Sequence, residues 1–413
     1  MDELTLIGVS HRRGGAEALE TYAIDHALRP LPERLAELGV SSWFELRTCN
    51  RVDVVLSRPE GIDVDRLRAA IAPANARRRP YAFVGEAALE QLARVAASLD
   101  ALNPGEDQVM RQVRDAAQEA RDAGRIDPTL SFAVDAALRV AKRVRREVPL
   151  APRDASLFSL ARGDVERVLA GGGRAVVVGA GEMGRIAARA LTSVRGVALT
   201  IVNRDAERAA ALARAVGGEA RALADVVGHG LDAEVLVVAV AGGRLIDDAW
   251  LAGAPSLKLA VDLGIPRALD GRAARARGIE LLDVDALQVT GEARRHALER
   301  HLASAEGLLR EGIDEAMGAW AERSLAPSIR ALQGWFEATL ADALPAEEAR
   351  RLARRVAHVP VKGLRAIARD HGLAAARTFL AETGLARPAT VAATASAPTT
   401  GTEVVAPREV VER

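Results

Sequence analysis

The stretch that most restricts what this chain can fold into lies between residues 171 and 194. Gly171-Gly172-Gly173 leads into Arg174-Ala175-Val176-Val177-Val178, and Gly179-Ala180-Gly181-Glu182-Met183-Gly184 follows at once, ahead of a helical pattern over 185–194. The apolar run without alternation reads as a strand buried on both faces of a parallel sheet. A G-x-G-x-x-G between such a strand and a helix is the dinucleotide-binding arrangement. The first glycine makes the tight turn, and the second lets backbone approach a pyrophosphate at the helix N-terminus, where unpaired N–H groups point. Gly179, Ala180, Gly181, Glu182, Met183 and Gly184 are therefore candidate cofactor-binding residues. The bland alternative is a glycine-rich turn with no ligand.

Further strands alternate with helices around this unit, over 197–202, 234–240 (ending at Gly242-Gly243), 257–263 and 279–282, which predicts a doubly wound domain over about 155–287. The second strand ends in Asn203-Arg204, where an NAD site would place a carboxylate for the ribose 2′-hydroxyl. Arg204, with Arg208 one turn on, favours a 2′-phosphate, hence NADPH.

Upstream, the only cysteine of 413 residues sits in Thr48-Cys49-Asn50-Arg51, between the strand-like runs 43–46 and 52–56. A lone cysteine is either a small buried hydrophobe or a nucleophile. Its polar neighbours suit a dry core poorly, and a guanidinium beside a thiol favours the thiolate that attacks. The surrounding pattern is a strand over 4–9, a polar turn at Ser10-His11-Arg12-Arg13-Gly14-Gly15, and helices over 16–27, 31–38, 63–72 and 84–102. A turn at Pro104-Gly105 precedes a helix to about Ala123, and another helix covers 131–147. This predicts an α+β domain over 1–150.

From Gln288 to Trp320 the pattern is one long amphipathic helix, followed by helices over 325–344, 347–356, 361–371 and a last one to about Thr383, with a break at His358-Val359-Pro360. Beyond Arg387 the chain turns to Pro, Ala, Thr and Ser without periodicity, the composition of a disordered tail. Lysine plus arginine equal aspartate plus glutamate, 56 each, so no global field points to nucleic acid or membrane. The clusters Arg77-Arg78-Arg79 and Lys142-Arg143-Val144-Arg145-Arg146 read first as solvated helix faces. The acidic start Met1-Asp2-Glu3 is unlike a signal peptide, and no apolar run approaches a membrane span, so a cytoplasmic protein is expected. No His/Cys/Asp cluster has metal-ligand spacing.

The order of these pieces resembles glutamyl-tRNA reductase, the enzyme family that begins five-carbon tetrapyrrole synthesis. The resemblance reaches about residue 385. It rests on Gly8-Val9-Ser10-His11, Thr48-Cys49-Asn50-Arg51, Ala141-Lys142-Arg143-Val144-Arg145, the glycine fingerprint and Asn203-Arg204. It rests also on the runs from Asp262 to Arg267, Asp283 to Leu287 and Ala326 to Leu332. It implies a multidomain α/β chain: a catalytic domain over 1–150, a Rossmann NADPH domain over 155–287, a spinal helix over 288–322, an all-α dimerisation domain over 323–385 and a tail over 386–413. It implies that Cys49 attacks the ester of glutamyl-tRNA(Glu), and that NADPH reduces the resulting thioester to glutamate 1-semialdehyde on the route to 5-aminolevulinate. Arg51 would hold the substrate carboxylate, with Thr48 and Asn50 orienting it and Glu106, Gln108 and Gln112 completing the pocket. A homodimer and a transient complex with glutamate-1-semialdehyde aminotransferase are the implied partners. RNA phosphates would be met by Lys142, Arg143, Arg145 and Arg146.

Three positions depart from the family pattern. Gln91 stands where a histidine is usual, Ala101 where a serine is usual, and Asp107 where a proline is usual. A glutamine is no acid or base near neutral pH. The departures keep two other readings open, a reductase of another acyl donor and a non-catalytic regulatory relative. Thiol reactivity separates these, since a low-pKa Cys49 would alkylate rapidly.

Overall fold

Four strands, Leu4–Ser10 (β1), Trp43–Arg47 (β2), Arg51–Ser57 (β3) and Tyr81–Val84 (β4), form an antiparallel sheet in the order β2-β3-β1-β4. The computed structural model describes residues 1–106, 108–150, 156–240 and 243–382. β1 is buried along its whole length and β3 along all but its last residue, which is why both read as nearly unbroken apolar runs. Ile7, Val54 and Leu56 pack with Leu19, Tyr22 and Leu35 from the helices His11–Leu28 and Leu31–Ala36. Helices Glu86–Ala96, Gln108–Asp122 and Pro128–Glu147 complete this region.

The second sheet has six parallel strands, Gly173–Val178 (β5), Val197–Asn203 (β6), Glu219–Ala222 (β7), Val235–Val238 (β8), Leu259–Asp262 (β9) and Glu280–Leu282 (β10). Their order is β10-β9-β8-β5-β6-β7, so the chain reverses direction of travel between β5 and β8, the switch point where ligands bind in open α/β sheets. Core clusters cover both faces of this sheet, one around Val177, Val237 and Val261 and the other around Val176, Val238 and Trp250.

The elements differ from the sequence expectation in several places, the first being that the turn expected over 10–15 is helical from His11, with a kink at Gly15. The helix expected over 84–102 is strand β4 as far as Val84, then the helix Glu86–Ala96, and its remainder is a turn in which Ser98 has φ of +60°. β7, with the sequence Glu-Ala-Arg-Ala, has little strand propensity and takes its form from pairing with β6 at the sheet edge. The helix expected from Gln288 begins earlier and breaks at Leu298, giving Val284–Ala297 and Glu299–Ala341. The helices expected to part between Trp320 and Leu325, and to break at His358-Val359-Pro360, run on unbroken. Glu299–Ala341 runs through Pro327, and Ala346–Glu382 runs through Pro360, bending instead at Gly372 (φ +85°). An interior proline costs a helix about 3 kcal/mol. Two apolar seams, Leu325 with Leu364, Ala368 and Leu380, and Leu332 with Ala357 and Val361, hold the segments on both sides of each proline.

Contacts divide the chain into two units, Met1–Met317 and Gly318–Arg413. The tail expected over 386–413 lies outside the described residues. No helix among the described residues is long and apolar enough to cross a membrane.

Candidate active site

The hairpin between β2 and β3 presents Thr48-Cys49-Asn50 as its turn. Thr48 closes it, its N–H donating to the Arg51 carbonyl (2.9 Å) and its Oγ1 accepting from the N–H groups of Asn50 (3.1 Å) and Arg51 (3.2 Å). The hydroxyl read as a substrate contact is therefore part of the turn itself, a local side-chain bond of the kind threonine makes. Asn50 Nδ2 donates to the Asp100 carbonyl (2.9 Å), while its buried Oδ1 has no hydrogen-bond partner.

Arg51 departs further from expectation. Its side chain is 2% exposed, and its fork is occupied: Nη1 meets Asp53 Oδ2 (3.1 Å), and Nη2 meets both Asp100 Oδ2 (2.8 Å) and the Asp100 carbonyl (3.2 Å). Rather than waiting for a substrate anion, it ties the hairpin to the 100-loop. Room for this exists because Asp53 pairs with Gly8 of β1. A Cβ at Gly8 would fall 2.1 Å from Asp53 Oδ1, so only glycine leaves space for the buried carboxylate. Tyr81 of β4 donates its hydroxyl to the same carboxylate, and Gln91 Nε2 donates to Asp100 Oδ2 (3.2 Å). Burial raises the Asp53 carboxyl, only partly opposed by Arg51 and Tyr81. Burial would raise Asp100 as well, but the Arg51 guanidinium outweighs it and holds Asp100 below the usual carboxylate range.

Cys49 is half-buried, and the low thiol pKa expected from Arg51 is not found. Burial pushes the thiol well above its ordinary range, and the Glu106 carboxylate adds to this. The Cys49 N–H and the Arg51 charge only partly oppose them. The guanidinium is too fully paired with two aspartates to set the state of the sulfur. Glu106 is buried, and burial lifts its carboxyl to about 7 despite the nearby charges of Arg145 and Arg51. Its carbonyl is pinned by Ser98 Oγ (2.6 Å) and Arg145 Nη1 (2.7 Å), and Arg145 Nη2 also takes the Gly105 carbonyl (3.0 Å). Ala101 is buried and offers only its carbonyl, to Arg295 (3.0 Å). Gln108 is buried with Nε2 unpaired, Gln112 is half-buried, and Asp107 lies outside the described residues.

The glycine turn and this hairpin pack on one apolar cluster. Cys49 packs against the apolar cluster of the parallel sheet, as do Ala180 and Met183 of the glycine turn, Ala239 after β8 and Ile265 after β9. A Cβ at Gly184 would fall 1.8 Å from the Gly179 carbonyl, so the helix Glu182–Thr192 sits hard against the turn, while nothing lies within 4 Å of the same position at Gly181. Asn203 Oδ1 accepts from the Ala180 N–H (3.3 Å), joining the end of β6 to the turn. Arg204 is exposed and forms no ion pair among the described residues. These residues fit a dinucleotide: bare backbone over Gly181, helix N–H groups beneath it, and a free cation at the end of β6. Arg111 Nη1 reaches Glu182 Oε1 (2.8 Å) across the two regions. Two further contacts fix them together: His11 Nε2 meets Asp285 Oδ1 (2.7 Å), and the Arg267 N–H donates to Glu20 (3.0 Å), while Arg267 is itself held by Asp285 and Asp283. Asp262 accepts from the N–H groups of Gly264, Ala268 and Leu269, shaping the loop that carries Ile265 and Arg267.

Sequence reasoning had not found Asp53, Tyr81, Asp100 or Arg111. A lone aspartate within the apolar run of β3 was the one visible signal among them. Of the cations offered for RNA, Arg143 is paired with Glu147, Glu311 and Glu315, Arg146 with Glu147, and Arg145 with backbone carbonyls; Lys142 stays exposed. Among the described residues no three His, Cys, Asp or Glu side chains could hold a metal ion.

Comparison with known proteins agrees with this arrangement. Residues 7–148 match the family described as glutamyl-tRNAGlu reductase, N-terminal domain, and residues 161–290 match shikimate / quinate 5-dehydrogenase. A glutamyl-tRNA reductase of Roseiflexus castenholzii is 32% identical over 361 residues, covering 81% of this chain and 82% of the relative. One of Myxococcus xanthus is 34% identical over 300 residues, covering 69% and 68%. The solved glutamyl-tRNA reductase of Methanopyrus kandleri is 26% identical, with a TM-score of 0.49 over 93% of this chain and all of that one. With the Roseiflexus and Myxococcus relatives more than 30% identical over more than two thirds of both chains, the chain belongs to the glutamyl-tRNA reductase family.

Proposed function

We propose that this protein reduces glutamyl-tRNA(Glu) to glutamate 1-semialdehyde with NADPH, through a thioester on Cys49. The observation that supports the reading is that Cys49 packs on the same apolar cluster as Ala180, Met183 and Ala239, so the thiol hairpin and the glycine turn share one core. Glu106 takes the thiol proton as the sulfur attacks the ester carbonyl. The C–O bond to the ribose breaks, and the proton returns to the departing hydroxyl. A bound nicotinamide supplies the hydride that reduces the thioester carbonyl. As the C–S bond breaks the sulfur leaves as the thiolate, the aldehyde departs, and a proton taken up from solvent restores the Cys49 thiol. The apolar surroundings of Cys49 keep water from the thioester. Because the fork of Arg51 is occupied, the substrate carboxylate falls to Arg12, whose exposed guanidinium lines a cavity of about 480 Å³ with Ser10, Gln91, Arg94 and Asp100. Arg204 takes the 2′-phosphate that separates NADPH from NADH.

The C-terminal helices support a homodimer: Leu352, Val356 and Val359 lie at helical spacing on one exposed face, and Trp335 is also exposed. The domain roles are a catalytic segment over 1–150, a nucleotide segment over 155–287 and helices beyond.

The test incubates protein with labelled glutamyl-tRNA, with and without NADPH, against Cys49→Ser. Semialdehyde only with NADPH, lost in the variant, is expected, with label held on the wild-type protein when NADPH is omitted. Neither label nor product from folded, NADPH-binding protein would overturn the reading.

A further inference from the structure

A second cavity, of about 670 Å³, opens on the far side of Arg12 and Arg13 from the one just described. It is lined by Arg12, Arg13, Gly14, Arg78, Arg79 and Tyr81. Four guanidinium groups thus face one open space. Three of them, Arg13, Arg78 and Arg79, are exposed and form no ion pair among the described residues. That sets them apart from Arg143 and Arg146, which carboxylates neutralise. Nor are they a solvated helix face. Arg78 and Arg79 sit on the connection before β4, held in place where Tyr22 donates its hydroxyl to the Arg78 carbonyl (3.2 Å). Arg13 lies over the rings of Tyr81 (4.9 Å) and Phe83 (5.4 Å). The helical turn that carries Arg12 and Arg13 is set off from the rest of its helix by a kink at Gly15, whose φ is +72°.

The two cavities share Arg12 and Arg13 as lining, so Arg78, Arg79 and Tyr81 on one and Phe83, Gln91 and Asp100 on the other flank the same two guanidinium groups. Asp100 in turn holds Asn50 and Arg51, the two residues that follow Cys49. A row of cations beside aromatic faces, next to a residue that holds the catalytic hairpin, suits a single-stranded polynucleotide. Phosphates pair with the guanidinium groups, and an unstacked base lies on an aromatic ring.

We propose that this cleft receives the single-stranded 3′ end of the transfer RNA, with Arg13, Arg78 and Arg79 on its last phosphates and a terminal base against Tyr81 and Phe83. The proposal rests on the transfer-RNA substrate of the preceding reading. It gives that substrate a face and a direction, with the esterified ribose at the Asp100 end. The basic helix 128–147 is left as packing surface.

The test compares wild type with Arg78→Ala/Arg79→Ala in the full chain, using uncharged transfer RNA, intact or trimmed of its three 3′-terminal nucleotides. Affinity is read by fluorescence anisotropy across a salt series. Both substitutions are exposed, so NADPH binding should be unchanged and serves as the check on folding. The expected result is about tenfold weaker binding of intact RNA by the variant, with a log–log salt slope shallower by about 1.4, near 0.7 for each single-strand phosphate lost. Trimmed RNA should bind wild type about as weakly as intact RNA binds the variant, and lose little more on the variant. Equal losses for intact and trimmed RNA would place the two arginines on a duplex stem and overturn the proposal, as would no loss at all. Wild type that makes semialdehyde while the variant binds normally sinks this proposal alone. Wild type that binds no transfer RNA and makes no semialdehyde sinks the reading beneath it as well.

Discussion

Replacing Arg51 by methionine should damage the fold of the catalytic region before any chemistry is considered. The guanidinium is 2% exposed and bonded to Asp53, itself 1% exposed, and to Asp100. Methionine fills a similar volume but leaves the buried Asp53 carboxylate without its cation, and Asp100, which is 20% exposed, with only Arg12 and Gln91. Breaking a buried pair by removing one partner costs about 3–5 kcal/mol. At roughly 1.4 kcal/mol per tenfold, that is some 150- to 4,000-fold in the opening equilibrium. Amide exchange in β1 and β3, the strands on which the network is built, reads this directly. The pH dependence checks the cause. In the wild type burial already raises Asp53, while Arg51 holds Asp100 low. Without Arg51 both are raised, so the folded state keeps protons that the unfolded chain gives up near its ordinary value of about 3.9. Such groups stabilise at low pH, and that contribution is lost as pH rises through the raised values. Arg51→Met should therefore be hurt more at pH 8 than at pH 5, and adding Asp53→Asn should recover part of the loss. Exchange within about threefold of wild type, or an equal loss at both pH values, would refute the reasoning.

Other outcomes follow from the same geometry. Glu106→Gln should move two assays in opposite directions. Alkylation of Cys49 by iodoacetamide at pH 8 should be faster, because a negative neighbour is gone, and single-turnover acylation should be slower by about a hundredfold, the lower end of what a general base supplies. Arg204→Ala should weaken NADPH binding by about tenfold and leave NADH binding unchanged, read by quenching of intrinsic fluorescence; equal losses would show that the 2′-phosphate sits elsewhere. Val359→Glu should shift the protein from dimer toward monomer in sedimentation without loss of helix content, since Val359 is 74% exposed.

What could be read from the sequence follows how local each cause is. The run Val176-Val177-Val178 and the glycines after it declare themselves, because parallel-strand burial and close backbone approach act within a dozen residues. The hairpin around Cys49 was legible for the same reason. The role of Arg51 was not, because its partner Asp100 lies 49 residues away and the pairing exists only once the 100-loop folds over the hairpin. Thr48 could have been read better, since a threonine at a strand end commonly bonds the N–H groups just after it. Pro360 misled for a tertiary reason: the apolar seams around Leu325 and Leu332 hold the helix on both sides of it and outweigh the local preference to stop. Strand β7 was invisible because its residues prefer other structures and only the edge of β6 recruits them.

The raised thiol and the glutamine at position 91 are then parts of one arrangement. A reactive cysteine is usually kept as a thiolate by a neighbouring cation, but here the nearest guanidinium belongs to two aspartates, and the charged neighbour that acts most strongly on the sulfur is Glu106. Burial penalises the anion on either group. Moving a proton from Cys49 to Glu106 exchanges one buried anion for another, so much of the desolvation that makes each a poor acid against water cancels between them. When Glu106 is ionised the pair carries a single negative charge before and after such a transfer, and the raised thiol is neutral at rest. A histidine at position 91 is not needed for that exchange. Gln91 donates to Asp100, on the side of the network that fixes Asn50 and Arg51, and an amide performs that task in a single protonation state at every pH.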